Sequence, residues 1–154
     1  TTRPARPGRV DEGYYRMLTD AEFRAGIEAG QFAEWAEVHG YLYGTPRAPL
    51  EAWLAEGRDV VLDLDVVGAL SLKAAFPGQT LTLFLLPPSI RELERRLATR
   101  GTDSPEVRAV RLANALKEIE SADRFDFRVV NDDLDCCCRE VDRILSGPEH
   151  EEAR

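Results

Sequence analysis

The sequence predicts an α/β protein: a parallel sheet with helices on both faces, preceded by a smaller inserted lobe. Three observations predict it. From residue 59 onward, apolar runs alternate with helical segments, the pattern of right-handed β-α-β crossovers. The runs at 59–67 and 80–86 are rich in Val and Leu without a polar face, as strands buried on both sides are. Before residue 59 the strands are short and the helices few, which sets that region apart as a lobe.

The elements follow in order. Residues 1–13 carry Pro4, Pro7, Gly8 and Gly13 and read as loop or extended chain. Thr19-Asp20-Ala21-Glu22 is a capping-box pattern opening a helix with Phe23 and Ile27 on its apolar side, stopped by Gly30. Residues 32–43 read as short strands turning at Gly40, and 49–56 as a short helix ended by Gly57. The strand 59–67 leads into a helix over 68–76, and Pro77-Gly78 turns the chain into the strand 80–86, halted by Pro87-Pro88. Ser89 and Glu92 form a second capping box for a helix over 89–99. Ser104-Pro105-Glu106 opens a long helix, with Ser as cap and Pro in the first turn. A third strand at 127–130 and a helix over 134–146 precede an acidic tail. Three buried strands are few for a sheet covered on both faces, so an N-terminal part of the sheet is expected to lie outside this sequence.

The 154 residues suffice for one domain with a core, and no apolar run reaches the roughly 18 residues of a membrane span. Net charge −8 and pI near 4.9 argue against non-specific binding to nucleic acid or membrane, both of which want basic surfaces. A small anionic substrate needs only a local arginine cluster. Cys136, Cys137 and Cys138 are consecutive, which disfavours a disulfide between neighbours, and no Cys or His spacing suits a metal. The helical spacing of Leu134, Cys137, Cys138, Val141 and Leu145 predicts that two of the three thiols face the core, and free thiols fit a reducing cytoplasm.

Chemistry concentrates in a few places. Arg3 and Arg6 can each fork two phosphate oxygens, and Tyr15 and Tyr43 can add hydroxyl donors. Glu34 lies in an otherwise apolar stretch, Phe32-Ala33-Glu34-Trp35-Ala36, that runs on to Tyr43-Gly44-Thr45. A carboxylate there can read a base by accepting hydrogen bonds from its N–H donors. Asp63 and Asp65 are two apart in the apolar run, hence on one face, near the strand end where open α/β sheets bind ligands.

This set resembles the nucleoside-monophosphate site of guanylate kinases, and the resemblance extends through Asp63-Leu64-Asp65, Arg100-Gly101-Thr102-Asp103-Ser104 and Val130-Asn131-Asp132 over residues 1–146. It implies a P-loop kinase-like core and transfer of the γ-phosphoryl of MgATP to GMP, giving ADP and GDP. Arg3, Arg6, Tyr15 and Tyr43 then hold the acceptor phosphate. Glu34, Thr45 and Asp65 read guanine, N1–H and the 2-amino group being donors that adenine lacks, and Gly44 belongs to the same GMP site. Arg96, Arg100 and Arg111 sit in a mobile lid over 91–112 and stabilise the transferring charge. Asn131 and Asp63 lie on the ATP side, with Mg2+ arriving on the nucleotide. The implied organisation is a GMP-binding lobe (1–57), a core (58–90 and 113–147), the lid, and a tail (148–154). The implied protein is a cytoplasmic monomer or homodimer.

The sequence departs from the family in one large respect. The Gly-rich loop G-x-x-x-x-G-K-[ST] that cradles ATP phosphates is absent, and neither Lys73 nor Lys117 lies in such a context. In the family that loop precedes the arginine segment, so about 30 residues are expected to be lacking and turnover by these residues alone is not expected. Arg9, Tyr14, Met17 and Val67 are smaller departures. The alternative is a non-catalytic guanylate-kinase-like module that binds phosphorylated peptides, for which the retained base-reading carboxylates have no use. A kinase for AMP or a pyrimidine nucleotide conflicts with Glu34 and Asp65.

Overall fold

The computed structural model describes residues 1–5, 15–99 and 104–147. It forms two compact units, Thr1–Phe76 and Pro77–Arg154.

In the first unit, helix α1 (Asp20–Glu28) opens on the predicted capping box. Thr19 Oγ1 accepts from the Glu22 N–H, and the Glu22 carboxylate accepts from the Thr19 N–H at 2.7 Å. Strands β1 (Phe32–Val38) and β2 (Tyr41–Pro46) form an antiparallel hairpin. His39 and Gly40 both have positive φ, the requirement of a tight two-residue turn, so the turn falls where the sequence placed it. Phe23 is fully buried and stacks on Phe32 with ring centroids 4.3 Å apart. Their rings press on β2 at Gly44, where a β-carbon would stand 3.0 Å from both and from the Glu34 carbonyl oxygen. Helices α2 (Arg47–Ala55) and α3 (Val66–Ala75) complete the unit around Ala33, Leu50 and Leu72.

The predicted buried strand at 59–67 does not form. Residues 58–65 pair with no described strand, and α3 begins at Val66. Val60, Leu62 and Leu64 pack on the core cluster while Val61 is 84% exposed. The segment thus buries alternate residues on one side only. Apolar content argues for burial, but a strand also needs a hydrogen-bonding neighbour, and no described strand supplies one.

The second unit holds a parallel pair, β3 (Leu83–Leu86) with β4 (Phe127–Val130), in the register Leu83↔Phe127 to Leu86↔Val130. The crossover between them contains α4 (Ile90–Thr99) and α5 (Pro105–Ile119), capped by Ser89 and Ser104 as the sequence indicated. This parallel pairing with intervening helices bears out the α/β class. Strand β3 starts three residues later than expected because Thr82 is used otherwise. Its N–H and Oγ1 donate to Asp126 Oδ2 at 2.9 and 2.7 Å, and its Oγ1 accepts from the Asp126 N–H at 3.1 Å. The clip ties the start of β3 to the start of β4. Removing the carboxylate in Asp126→Ala strands two donors of a buried threonine, an expected loss of about 2–4 kcal/mol, read as a lowered denaturation midpoint.

Helix α6 (Leu134–Leu145) packs Cys137, Val141 and Ile144 against Val129, Leu81, Leu83 and Phe127. Of the three thiols only Cys137 is buried; Cys136 and Cys138 are exposed, and Leu134 is 67% exposed. The expected pair of buried thiols is corrected to one. The inward stripe runs 137, 141, 144, and Cys138 lies a further 100° around the helix.

Candidate functional site

The first unit gathers Glu34, Tyr43, Gly44, Thr45 and Asp65 onto the hairpin and the start of α3. Glu34 stands directly opposite Thr45 in the β1–β2 register and is only 6% exposed. Thr45 Oγ1 donates to Glu34 Oε1 at 2.6 Å. Asp65 caps α3, its Oδ1 accepting from the Gly68 N–H at 3.0 Å. Burial raises the Glu34 pKa above the ordinary carboxylate value; the neighbouring charge of Asp65 adds to the rise, and the bonds from Thr45 oppose it. A buried carboxylate of this kind is stabilised by any ligand that brings further N–H donors.

Arg3 is placed by two threonines that the sequence left as loop. Thr1 Oγ1 and the Thr2 N–H both donate to the Leu42 carbonyl, at 2.8 and 2.9 Å, while Thr2 Oγ1 accepts from the Leu42 N–H at 2.9 Å. The chain start is thereby fastened to β2, and Arg3 Nη1 lies 3.4 Å from the Tyr43 hydroxyl. The Tyr15 ring meets Tyr43 edge-on with centroids 6.1 Å apart. Tyr43 and Thr45 are two apart on β2 and so share a face, which brings phosphate-suited and base-suited groups to one strand. Two adjacent hydroxyl residues before an arginine were the only signal in the sequence for this fastening. Arg6 falls outside the described residues. Gly44 presents backbone to this strand and space to the Phe23 and Phe32 rings. Asp63 is exposed, and Asp65 is half-buried at its helix cap.

In the second unit Arg96 is tied to the chain after β4. Its Nη1 donates to the Asn131 carbonyl at 2.8 Å, its Nη2 to the Asp132 carbonyl at 3.3 Å, and its Nε to Glu92 at 2.8 Å. Arg95 forks the same carboxylate. Hydrogen bonds from these two arginines hold Glu92 down to about 2. The bond to Asn131 joins an arginine expected in the lid to a residue expected on the ATP side. Arg111 lies half-buried on α5, and Arg100 falls outside the described residues. Among the described residues no three His, Cys, Asp or Glu side chains converge as a metal site, and no helix is long and apolar enough to cross a membrane.

Residues 1–147 match the family model described as guanylate kinase. The guanylate kinase of Zymomonas mobilis is 46% identical over 146 residues, which cover 95% of this chain and 68% of that protein. That of Gloeobacter violaceus is 49% identical over 145 residues, covering 94% and 70%. The crystal structure of guanylate kinase from Anaplasma phagocytophilum aligns with a TM-score of 0.81 and 29% identity, covering 99% of this chain and 73% of that one.

Proposed function

The chain belongs to the guanylate kinase family, and from that premise we propose how its residues divide the reaction, the transfer of the γ-phosphoryl of ATP to GMP. Glu34 reads guanine, accepting from N1–H and the 2-amino group, with Thr45 and Asp65 beside it. Arg3, Arg6, Tyr15 and Tyr43 hold the GMP phosphate. An oxygen of that phosphate attacks the γ-phosphorus of ATP as the bond to the β–γ bridging oxygen breaks, leaving ADP. Such a step asks the protein for alignment and charge neutralisation. Arg96, Arg100 and Arg111 supply the charge from a lid over 91–112, and its closure keeps water from the phosphoryl group.

Asn131 and Asp63 serve the ATP side. A Mg2+ ion carried on nucleotide phosphates needs only one or two protein carboxylates, and the exposed Asp63 suits that demand. Such an ion supplies neutralisation of the phosphate charge. The lobe 1–57, the core 58–90 and 113–147, and the tail 148–154 complete the division. A cytoplasmic monomer or homodimer is part of the same proposal, and the free thiols support a reducing compartment.

The observation that carries this reading is the buried Glu34, bonded by Thr45 and placed beside Asp65 at the start of a helix. Calorimetric titration of this chain with GMP, and with AMP as control, tests it. Saturable binding of GMP alone is the expected result. A folded chain that binds neither nucleotide would reject the assignment of Glu34.

A further inference from the structure

Gly68 is the third residue of α3 and is buried. Glycine is unfavourable inside a helix relative to alanine. Nor does backbone conformation demand it, because among the described residues the positive-φ glycines are Gly30, Gly40, Gly57 and Gly78. Space explains it instead. A β-carbon on Gly68 would stand 2.7 Å from Glu34 Oε2 and 2.9 Å from Asp65 Oδ1, both closer than a carbon and an oxygen can approach, and 3.4 Å from Glu34 Cδ. The two carboxylates, one from β1 and one from the cap of α3, touch the volume a side chain would fill. Gly68 also donates its N–H to Asp65.

We propose that Gly68 is a specificity-determining positioning residue, whose missing side chain lets the Glu34 and Asp65 carboxylates close on one point and present themselves together to a guanine base. The inference rests on the assignment of those carboxylates to the guanine site. It differs from the constraint at Gly44, where a β-carbon meets two packed rings and a backbone oxygen. At Gly68 it meets carboxylate ends, one of them on a flexible glutamate. The fold can yield there at little cost, and base recognition yields with it.

The test is Gly68→Ala in the full chain, followed by thermal denaturation and by titration with GMP and with IMP, which lacks the 2-amino donor. The denaturation midpoint is expected to hold or rise, as alanine suits a helix better. GMP affinity is expected to fall by about 10-fold or more, and the preference for GMP over IMP to narrow, since a site built on hydrogen bonds discriminates only when they are aligned. Glu34→Asp, one methylene shorter, is expected to cost less affinity in the Gly68→Ala background than in the wild type, the signature of a shared contact. Unchanged GMP affinity and GMP/IMP preference, additive losses, or a variant that does not fold would each overturn the role of Gly68 while leaving the guanine site standing. A folded wild type that binds no GMP would take both down.

Discussion

Glu34→Gln is expected to weaken GMP binding by about 100-fold or more and to erase most of the preference for GMP over AMP. A glutamine keeps the shape but offers one acceptor and one donor edge. Guanine presents two donors there, so one bond is lost and a donor faces a donor. A hydrogen bond to a charged group contributes about 1.5–3 kcal/mol, so losing one and straining the other reaches this factor. The fold does not pay the same penalty. Glu34 is buried, and burial with the charge of Asp65 raises its pKa. The native chain therefore keeps its proton to higher pH than the unfolded chain does. Stability should fall as pH rises from the ordinary carboxylate value through the raised one, and flatten above it. Glu34→Gln should remove that slope and hold or raise the melting midpoint at neutral pH. GMP needs the ionised form, so its binding should strengthen over the same window and release protons, measured by calorimetry in buffers of different ionisation heat. A variant that binds GMP as the wild type does would remove Glu34 from the site.

Much of this site was legible because its chemistry is local in the sequence. Glu34, Tyr43 and Thr45 fall on one hairpin whose turn is announced by Gly40, and alternation along β2 gives two of them the same face. The capping box at Thr19 and the serine caps at Ser89 and Ser104 fixed three helix starts for the same reason; at Ser89 the box stays half-made, because the Glu92 carboxylate turns to Arg95 and Arg96. What was not legible depends on partners distant in sequence. Residues 59–65 have the composition of a buried strand, but strand formation depends on a neighbour, and Val61 faces solvent. Thr82 reads as part of β3, yet Asp126, 44 residues away, claims its donors. Arg96 reads as a lid arginine, and nothing local in the sequence shows that its guanidinium meets the carbonyls of Asn131 and Asp132. Cys138 looked internal because two adjacent cysteines both fit a broad apolar stripe, whereas packing against Val129 admits only one.

Arg3→Ala is expected to separate the phosphate half of the site from the base half. Thr1 and Thr2 hold the backbone before Arg3 against Leu42, so the guanidinium starts beside Tyr43. Less backbone entropy then remains to be lost when it forks a phosphate, and charge-assisted bonds are about twice as strong as neutral ones. Its removal should cost about 10- to 100-fold in GMP affinity, given about 1.5–3 kcal/mol for a bond to a charged group. Guanosine, which lacks the phosphate, should bind wild type and variant alike. Arg3→Lys should recover only part of the loss, because an ammonium cannot fork two oxygens. Glu34→Gln should act the other way round, weakening guanosine and GMP by the same factor. An Arg3→Ala chain that loses guanosine as steeply as GMP would mean that Arg3 supports the hairpin through Tyr43. The base and phosphate contacts would then stand or fall together on β2.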